Sequence, residues 1–146
     1  MKKISLLIVL TILCSLVAVP AWAAQVNYEP ARATFDNVGI ESFSILKGGT
    51  SDLSTTDGAL VIRCTTSAYS SVNEIGLYIN IQRWNGSSWV NYSSLSGAEY
   101  YSDYILRGYT YSVPKGYSYR LVTKHYVKNG LTEESGYTTT NGYFVS

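Results

Sequence analysis

The side chains from which an acid–base site could be built are few. There is one histidine, His125, and the strand-rich part of the chain carries Glu74, Glu99, Glu133 and Glu134. If Asn129-Gly130 is a two-residue hairpin loop, Lys128 stands opposite Leu131, Val127 opposite Thr132, Tyr126 opposite Glu133 and His125 opposite Glu134. His125 would then share a face with Tyr119 and Leu121, with a carboxylate beside it. That arrangement suits a general base oriented by an acid, the core of a small hydrolase. A Cys64–His125 nucleophile pair is a related possibility, since both residues fall on inward-facing strand positions. The plainer reading is a cross-strand polar pair near a strand end. Glu133 and Glu134 are adjacent, point to opposite faces of a strand and cannot act together as a glycosidase pair. The sequence has no G-x-S-x-G, no H-E-x-x-H, no C-x-x-C and no phosphate-cradling glycine loop. Neither the cysteine and histidine content nor the Asp and Asn spacing suits zinc or calcium, so no metal or cofactor is expected.

A second kind of chemistry rests on aromatic rings. In Glu74–Trp84, Ile75, Leu77, Ile79 and Ile81 alternate with Tyr78, Asn80, Gln82 and Trp84. The four residues Asn85-Gly86-Ser87-Ser88 then turn the chain, setting Trp84 opposite Trp89, Gln82 opposite Asn91 and Ile81 opposite Tyr92. Arg120, Lys124 and Tyr126 fall on the same outward face if their strand is a neighbour. Trp84 and Trp89 would stack the C–H face of a sugar ring, with Tyr78, Asn91 and Tyr126 assisting. The alternative is that Trp84 and Trp89 only stabilise their hairpin. The Tyr, Ser, Asn and Gly mixture also suits an adaptable protein-binding surface.

The elements that must hold these residues read as β-strands. Gly, Asn and Ser punctuate the chain every 8 to 12 residues, with Val, Ile, Tyr and Thr between them. Strands are expected at Ser42–Lys47 before Gly48-Gly49, at Ala59–Thr66 after Asp57-Gly58, and at Glu74–Trp84. Further strands are expected at Asp103–Leu106 and Tyr109–Val113, split at Arg107-Gly108, then at Tyr117–Lys128 and Tyr137–Val145. Val113-Pro114-Lys115-Gly116 has the residue order of a type I turn. The fold class is therefore all-β, a sandwich of about seven antiparallel strands.

Residues 1–23 read as a secretory signal peptide: Lys2 and Lys3, an apolar run from Ile4 to Val19, Pro20, and Ala21-Trp22-Ala23 at the cleavage site. The run spans 16 residues, shorter than the roughly 20 a membrane span needs. After cleavage no membrane span is expected, and the product would be secreted or extracellular. Loss of Lys2 and Lys3 leaves 9 positive against 10 negative residues, which excludes the basic stripe of a nucleic-acid binder. Cys64 is then the remaining cysteine, either buried or paired between chains. Residues 24–38 are the least patterned and are expected to form a flexible lead-in, with the domain at 39–146.

The run Pro114-Lys115-Gly116-Tyr117-Ser118-Tyr119-Arg120-Leu121 resembles the E–F corner of an immunoglobulin-like or fibronectin type III domain, with Tyr119 as its corner tyrosine. In that resemblance Cys64 and Leu121 stand where an antibody domain has its two cysteines. The leader, the Gln-Arg-Trp-Asn-Gly-Ser-Ser-Trp hairpin and the Lys-His-Tyr-Val-Lys-Asn-Gly-Leu-Thr-Glu-Glu-Ser segment together resemble small exported proteins of unknown function from Gram-positive bacteria. That family implies location and fold but no activity. The expected function is a non-catalytic exported binding module for a cell-surface or extracellular polysaccharide. The alternatives are a surface protein-interaction or assembly protein, using sheet edges or Cys64, and a hydrolase using His125.

Overall fold

The computed structural model describes residues 31–36 and 43–146. The expected signal peptide lies outside the described residues. Seven strands follow one another: β1 Ala31–Asp36, β2 Leu46–Thr56, β3 Ala59–Trp84, β4 Trp89–Ser112, β5 Tyr117–Asn129, β6 Thr132–Thr139 and β7 Tyr143–Val145. All pairings are antiparallel, and no helix occurs among the described residues.

Two strands are long enough to serve twice. The pairing of β3 with β4 jumps between Ser67 and Val72, where the sheet folds back on itself. The first half of β3 pairs with β2 and the end of β4, while its second half pairs with the start of β4 and with β5. The curled sheet thus makes two facing layers, an immunoglobulin-like sandwich. One layer is β1, β2, the first half of β3 and the second half of β4. The other is the first half of β4, the second half of β3, β5, β6 and β7.

The core follows from period-two alternation. Leu53, Leu60, Ile62 and Cys64 of the first layer meet Ile75, Leu77, Ile79, Ile81 and Leu121 of the second, and all are buried. One open side is stitched by β4 itself. Tyr109 donates to the Ser96 carbonyl at 2.9 Å, Tyr111 to Ser93 Oγ at 2.8 Å, and Arg107 to the Ala98 carbonyl and Glu99. At the other side Tyr119 is fully buried and its hydroxyl donates to the Pro114 carbonyl at 2.9 Å, which is the corner-tyrosine bond. Gly116, with φ 85°, directs its N–H to the Val145 carbonyl at 2.7 Å, tying this corner to β7.

Several local expectations change. The strand expected at Ser42–Lys47 instead starts at Leu46 and runs through Gly48 and Gly49 to Thr56. Residues 31–36, expected in the flexible lead-in, form β1 and pair with Gly48–Leu53, so the sheet begins before residue 39. The split at Arg107-Gly108 does not occur: β4 is continuous there, and its backbone departs from the extended form at Tyr101, φ 55°. Ile81 faces Ser93, not Tyr92, because Tyr92 is an extra residue between Asn91 and Ser93. Its ring turns edge-on to Tyr119 at 5.6 Å.

The β5–β6 hairpin loop sits one residue later than expected, which moves each pairing partner by two residues. Asn129 pairs with Thr132, Lys128 with Glu133, Val127 with Glu134 and His125 with Gly136. Gly130 and Leu131 are the loop pair. Gly130 has φ 59° and Leu131 does not have a positive φ, so glycine takes the first central position, as in a type II′ turn. The shift separates His125 from Glu134. The Glu134 carboxylate instead accepts the successive N–H groups of Ser44, Ile45 and Leu46 at 2.8, 2.9 and 2.7 Å, together with the Ser44 hydroxyl, and pins the start of β2.

Candidate functional site

His125 and Cys64 lie in the core, in a chain of buried polar groups that joins the two layers. Thr66 Oγ1 is 2.9 Å from His125 Nδ1, and Thr138 Oγ1 is 2.9 Å from Nε2. Ser51 Oγ lies 2.7 Å from Thr138 and donates to Thr123 at 2.8 Å, while the Cys64 thiol donates to Ser51 at 3.4 Å. All of these side chains are sealed from solvent. Burial pushes the imidazole down to about 4, so it is neutral at physiological pH. Burial also pushes the Cys64 thiol up, leaving it a thiol. These groups hold the layers together; neither the His125–Glu134 dyad nor an exposed Cys64 for pairing between chains is formed. Among the described residues no group of His, Cys, Asp and Glu is arranged to hold a metal ion.

The outer face of the second layer is different. The turn at its end is organised by Asn85, whose Oδ1 accepts the N–H of Ser87 and Ser88 at 2.9 and 2.8 Å, while Gly86 takes φ 102°. That turn sets Trp84 against Trp89, with ring centroids 5.5 Å apart and planes tilted by 59°. On the next outward row Asn91, Gln82 and Arg120 stand side by side on β4, β3 and β5. Arg120 Nε donates to Gln82 Oε1 at 2.8 Å, and Gln82 Nε2 donates to Asn91 Oδ1 at 3.2 Å. The Arg120 guanidinium lies over the Trp89 ring, 4.7 Å from its centroid. The Trp89 benzo edge rests on Gly142, where a β-carbon would come within 2.8 Å of it. The sequence gives no sign of that contact, because Gly142 falls inside the single strand expected at Tyr137–Val145, which instead ends at Thr139 and resumes at Tyr143.

Tyr78 and Tyr126 form a separate pair nearer the middle of the face, stacked at 5.3 Å with planes 18° apart. Tyr78 is half exposed, but Tyr126 is only 3% exposed. Its ring lies where a side chain on Gly76 would be, and its hydroxyl donates to Glu74 at 2.6 Å. Burial and that carboxylate push the Tyr126 phenol up, and the same bond holds the Glu74 carboxyl below its usual value. Of the five residues expected to bind, Trp84, Trp89 and Asn91 are thus brought together, Tyr78 stands apart as a second exposed ring, and Tyr126 buttresses Tyr78 rather than offering a surface. Between the two aromatic groups lie Asn80, Ser94, Ser96 and Thr139, short polar side chains at or near the surface.

The fold and this face define an immunoglobulin-like β-domain with an aromatic patch framed by amides and a guanidinium. No protein-family model matches the chain, and no curated protein matches it.

Proposed function

We propose that this domain is a non-catalytic, exported binding module whose outer sheet face takes a cell-surface or extracellular polysaccharide. The observation that carries this is the Trp84–Trp89 pair with the Asn91–Gln82–Arg120 row at its foot. The exposed Trp84 indole offers an apolar face to sugar C–H groups, the half-buried Trp89 stands against it beneath the Arg120 guanidinium, and the row beside them offers hydrogen-bonding groups for hydroxyls at fixed positions. Tyr78 supplies a second exposed ring six residues away along β3, about 20 Å in an extended strand, so a chain of several sugars would span both. The burial of His125 counts against the hydrolase alternative, which uses that residue.

The test is depletion of the purified protein from solution by insoluble polysaccharides, with Trp84→Ala/Trp89→Ala beside it. Stacking contributes on the order of 1 kcal/mol per ring, so loss of both rings is expected to weaken binding about thirtyfold. Unchanged binding by a folded double variant would remove the site.

A second reading, a protein-interaction surface, is favoured by the opposite end of the sandwich. Tyr69, Tyr100, Tyr101 and Tyr104, at the fold-back of β3 and β4, are 57%, 66%, 79% and 47% exposed. None of their rings or hydroxyls has a partner among the described residues, whereas Tyr109, Tyr111, Tyr119 and Tyr126 all donate hydrogen bonds. Tyr101 also holds φ 55°, a costly conformation for a bulky residue. On this reading the protein sediments as a concentration-dependent oligomer, and Tyr101→Gly, which removes ring and strain together, shifts it to monomer. A monomer at all concentrations would leave self-association without support.

A further inference from the structure

Resting on the polysaccharide reading, we infer that the ligand of the Trp84–Trp89 patch is an acidic glycan, one whose sugars carry carboxylates, and that Arg120 receives the carboxylate.

The cations of this face are not all used alike. Three stand on its described strands: Arg120, Lys124 and Lys128. Lys124 pairs with Glu133 at 3.3 Å, and Lys128 with Glu74 at 3.4 Å. Arg120 pairs with no carboxylate among the described residues; its one side-chain hydrogen bond is from Nε to Gln82. Both terminal nitrogens of its guanidinium are left over.

The group is also held in a fixed pose. Gln82 fixes one edge of the planar fork, and the fork rests on the Trp89 ring. Gln82 is itself oriented by Asn91, so its carbonyl faces the arginine. A guanidinium immobilised in this way has already lost much of the side-chain freedom that binding would otherwise cost, and its two terminal N–H groups match the two oxygens of a carboxylate.

The charge layout points the same way. The acids of this face, Glu74 and Glu133, stand at its far end, both engaged by lysines. Glu74 is eight residues from Gln82 along β3, about 26 Å in an extended strand. The aromatic end is therefore cationic, and no Asp or Glu side chain stands there among the described residues. A neutral glycan would need hydroxyl partners alone, which the amides Gln82 and Asn91 supply without an arginine. On this placement a sugar ring stacks on Trp84 and Trp89, its carboxylate meets the end of Arg120, and its hydroxyls reach Asn91.

The probes are a pair of polymers that differ in charge and not in ring or linkage: polygalacturonic acid and its methyl ester. Insoluble cellulose, chitin and xylan serve as neutral references. Charge-assisted hydrogen bonds are the stronger ones, so the purified protein is expected to bind the acid at least about tenfold tighter than the ester, with an advantage that shrinks as sodium chloride is raised. Arg120→Gln is expected to abolish that advantage. Arg120→Lys, which keeps the charge and loses the fork, is expected to retain part of it. Tryptophan fluorescence and thermal unfolding show whether Trp89 and the fold survive each change. Equal binding of acid and ester, or binding of neutral polymers alone, overturns this inference and leaves the polysaccharide reading in place. An advantage for the acid that persists in a folded Arg120→Gln overturns the role of Arg120. Binding to none of the five polymers overturns both the inference and the reading beneath it.

Discussion

Gly49→Ala is expected to destabilise the domain by about 3–5 kcal/mol, a large part of the 5–15 kcal/mol that holds a domain of this size. Gly49 lies in the middle of β2, opposite Thr66, and has no unusual backbone conformation. Its lack of a side chain matters because the His125 ring occupies that space: a β-carbon on Gly49 would overlap Nδ1 and Cγ of the imidazole. The ring cannot step aside cheaply. Thr66 holds one nitrogen and Thr138 the other, and moving the ring would break both of these buried bonds. Overpacking costs about 1–3 kcal/mol and each orphaned buried polar group about 1–3 more. The check is a double-mutant cycle followed by urea unfolding. His125→Ala alone leaves a cavity and removes one hydrogen bond from each of Thr66 and Thr138, but in Gly49→Ala/His125→Ala the new methyl enters space the ring has vacated. The double variant is therefore expected to be at least about 1 kcal/mol more stable than the two single losses predict. Additive losses would mean that the two residues do not compete for that space.

The same pair shows why the sequence could be read for faces but not for contacts. Alternation in Glu74–Trp84 puts Ile75 to Ile81 inward and Tyr78 to Trp84 outward, and the structure follows it, because burying one face leaves a strand no freedom in parity. Tyr119 was legible for a similar reason: the corner bond needs a tyrosine a fixed distance after a turn. Gly48-Gly49 reads as the end of a strand, since a glycine has no side chain whose direction can be inferred. Its use, room for a ring 76 residues later, exists only in three dimensions. Gly76 hides its meaning in the same way. It lets Tyr126 lie flat on β3, which turns an expected ligand-binding ring into a buried one. The Asn129-Gly130 loop was recognisable as a turn, but its register depended on whether glycine took the first or second central position. One step decided whether His125 faced Glu134 or Gly136. The patch at Trp84, Trp89 and Asn91 was legible because the four-residue loop fixed its register, whereas the bulge at Tyr92 left no mark in the spacing.

Acid is expected to weaken the fold in two separable steps, the first set by His125. In the unfolded chain this imidazole takes up a proton near pH 6.5; in the folded domain burial pushes it down to about 4. Between those values the unfolded state binds more protons, so stability falls as pH falls. The difference corresponds to about 3 kcal/mol, fully retained above pH 6.5 and lost progressively toward pH 4. The second step belongs to the carboxylates. Burial alone would raise Glu134, but the N–H groups of Leu46, Ile45 and Ser44 outweigh it and hold the group below its usual value. Glu74 is held down chiefly by the Tyr126 hydroxyl. For these groups stability is present above the unfolded value of about 4.5 and is lost as pH falls through the lower folded values. The neighbouring Cys64 thiol adds nothing across this range, since burial keeps it protonated. Urea midpoints measured from pH 7.5 to 3.5 read both steps. His125→Gln keeps a hydrogen-bonding side chain in the core but cannot titrate, so its stability is expected to stay level from pH 6.5 to about 4.5. Glu134→Gln should keep the histidine step and flatten part of the decline below 4.5. If His125→Gln lost stability between pH 6.5 and 4.5 as steeply as the parent, the proton taken up on unfolding would belong to another group, and the sealed chain from Thr66 to Thr123 would not be what makes this fold sensitive to mild acid.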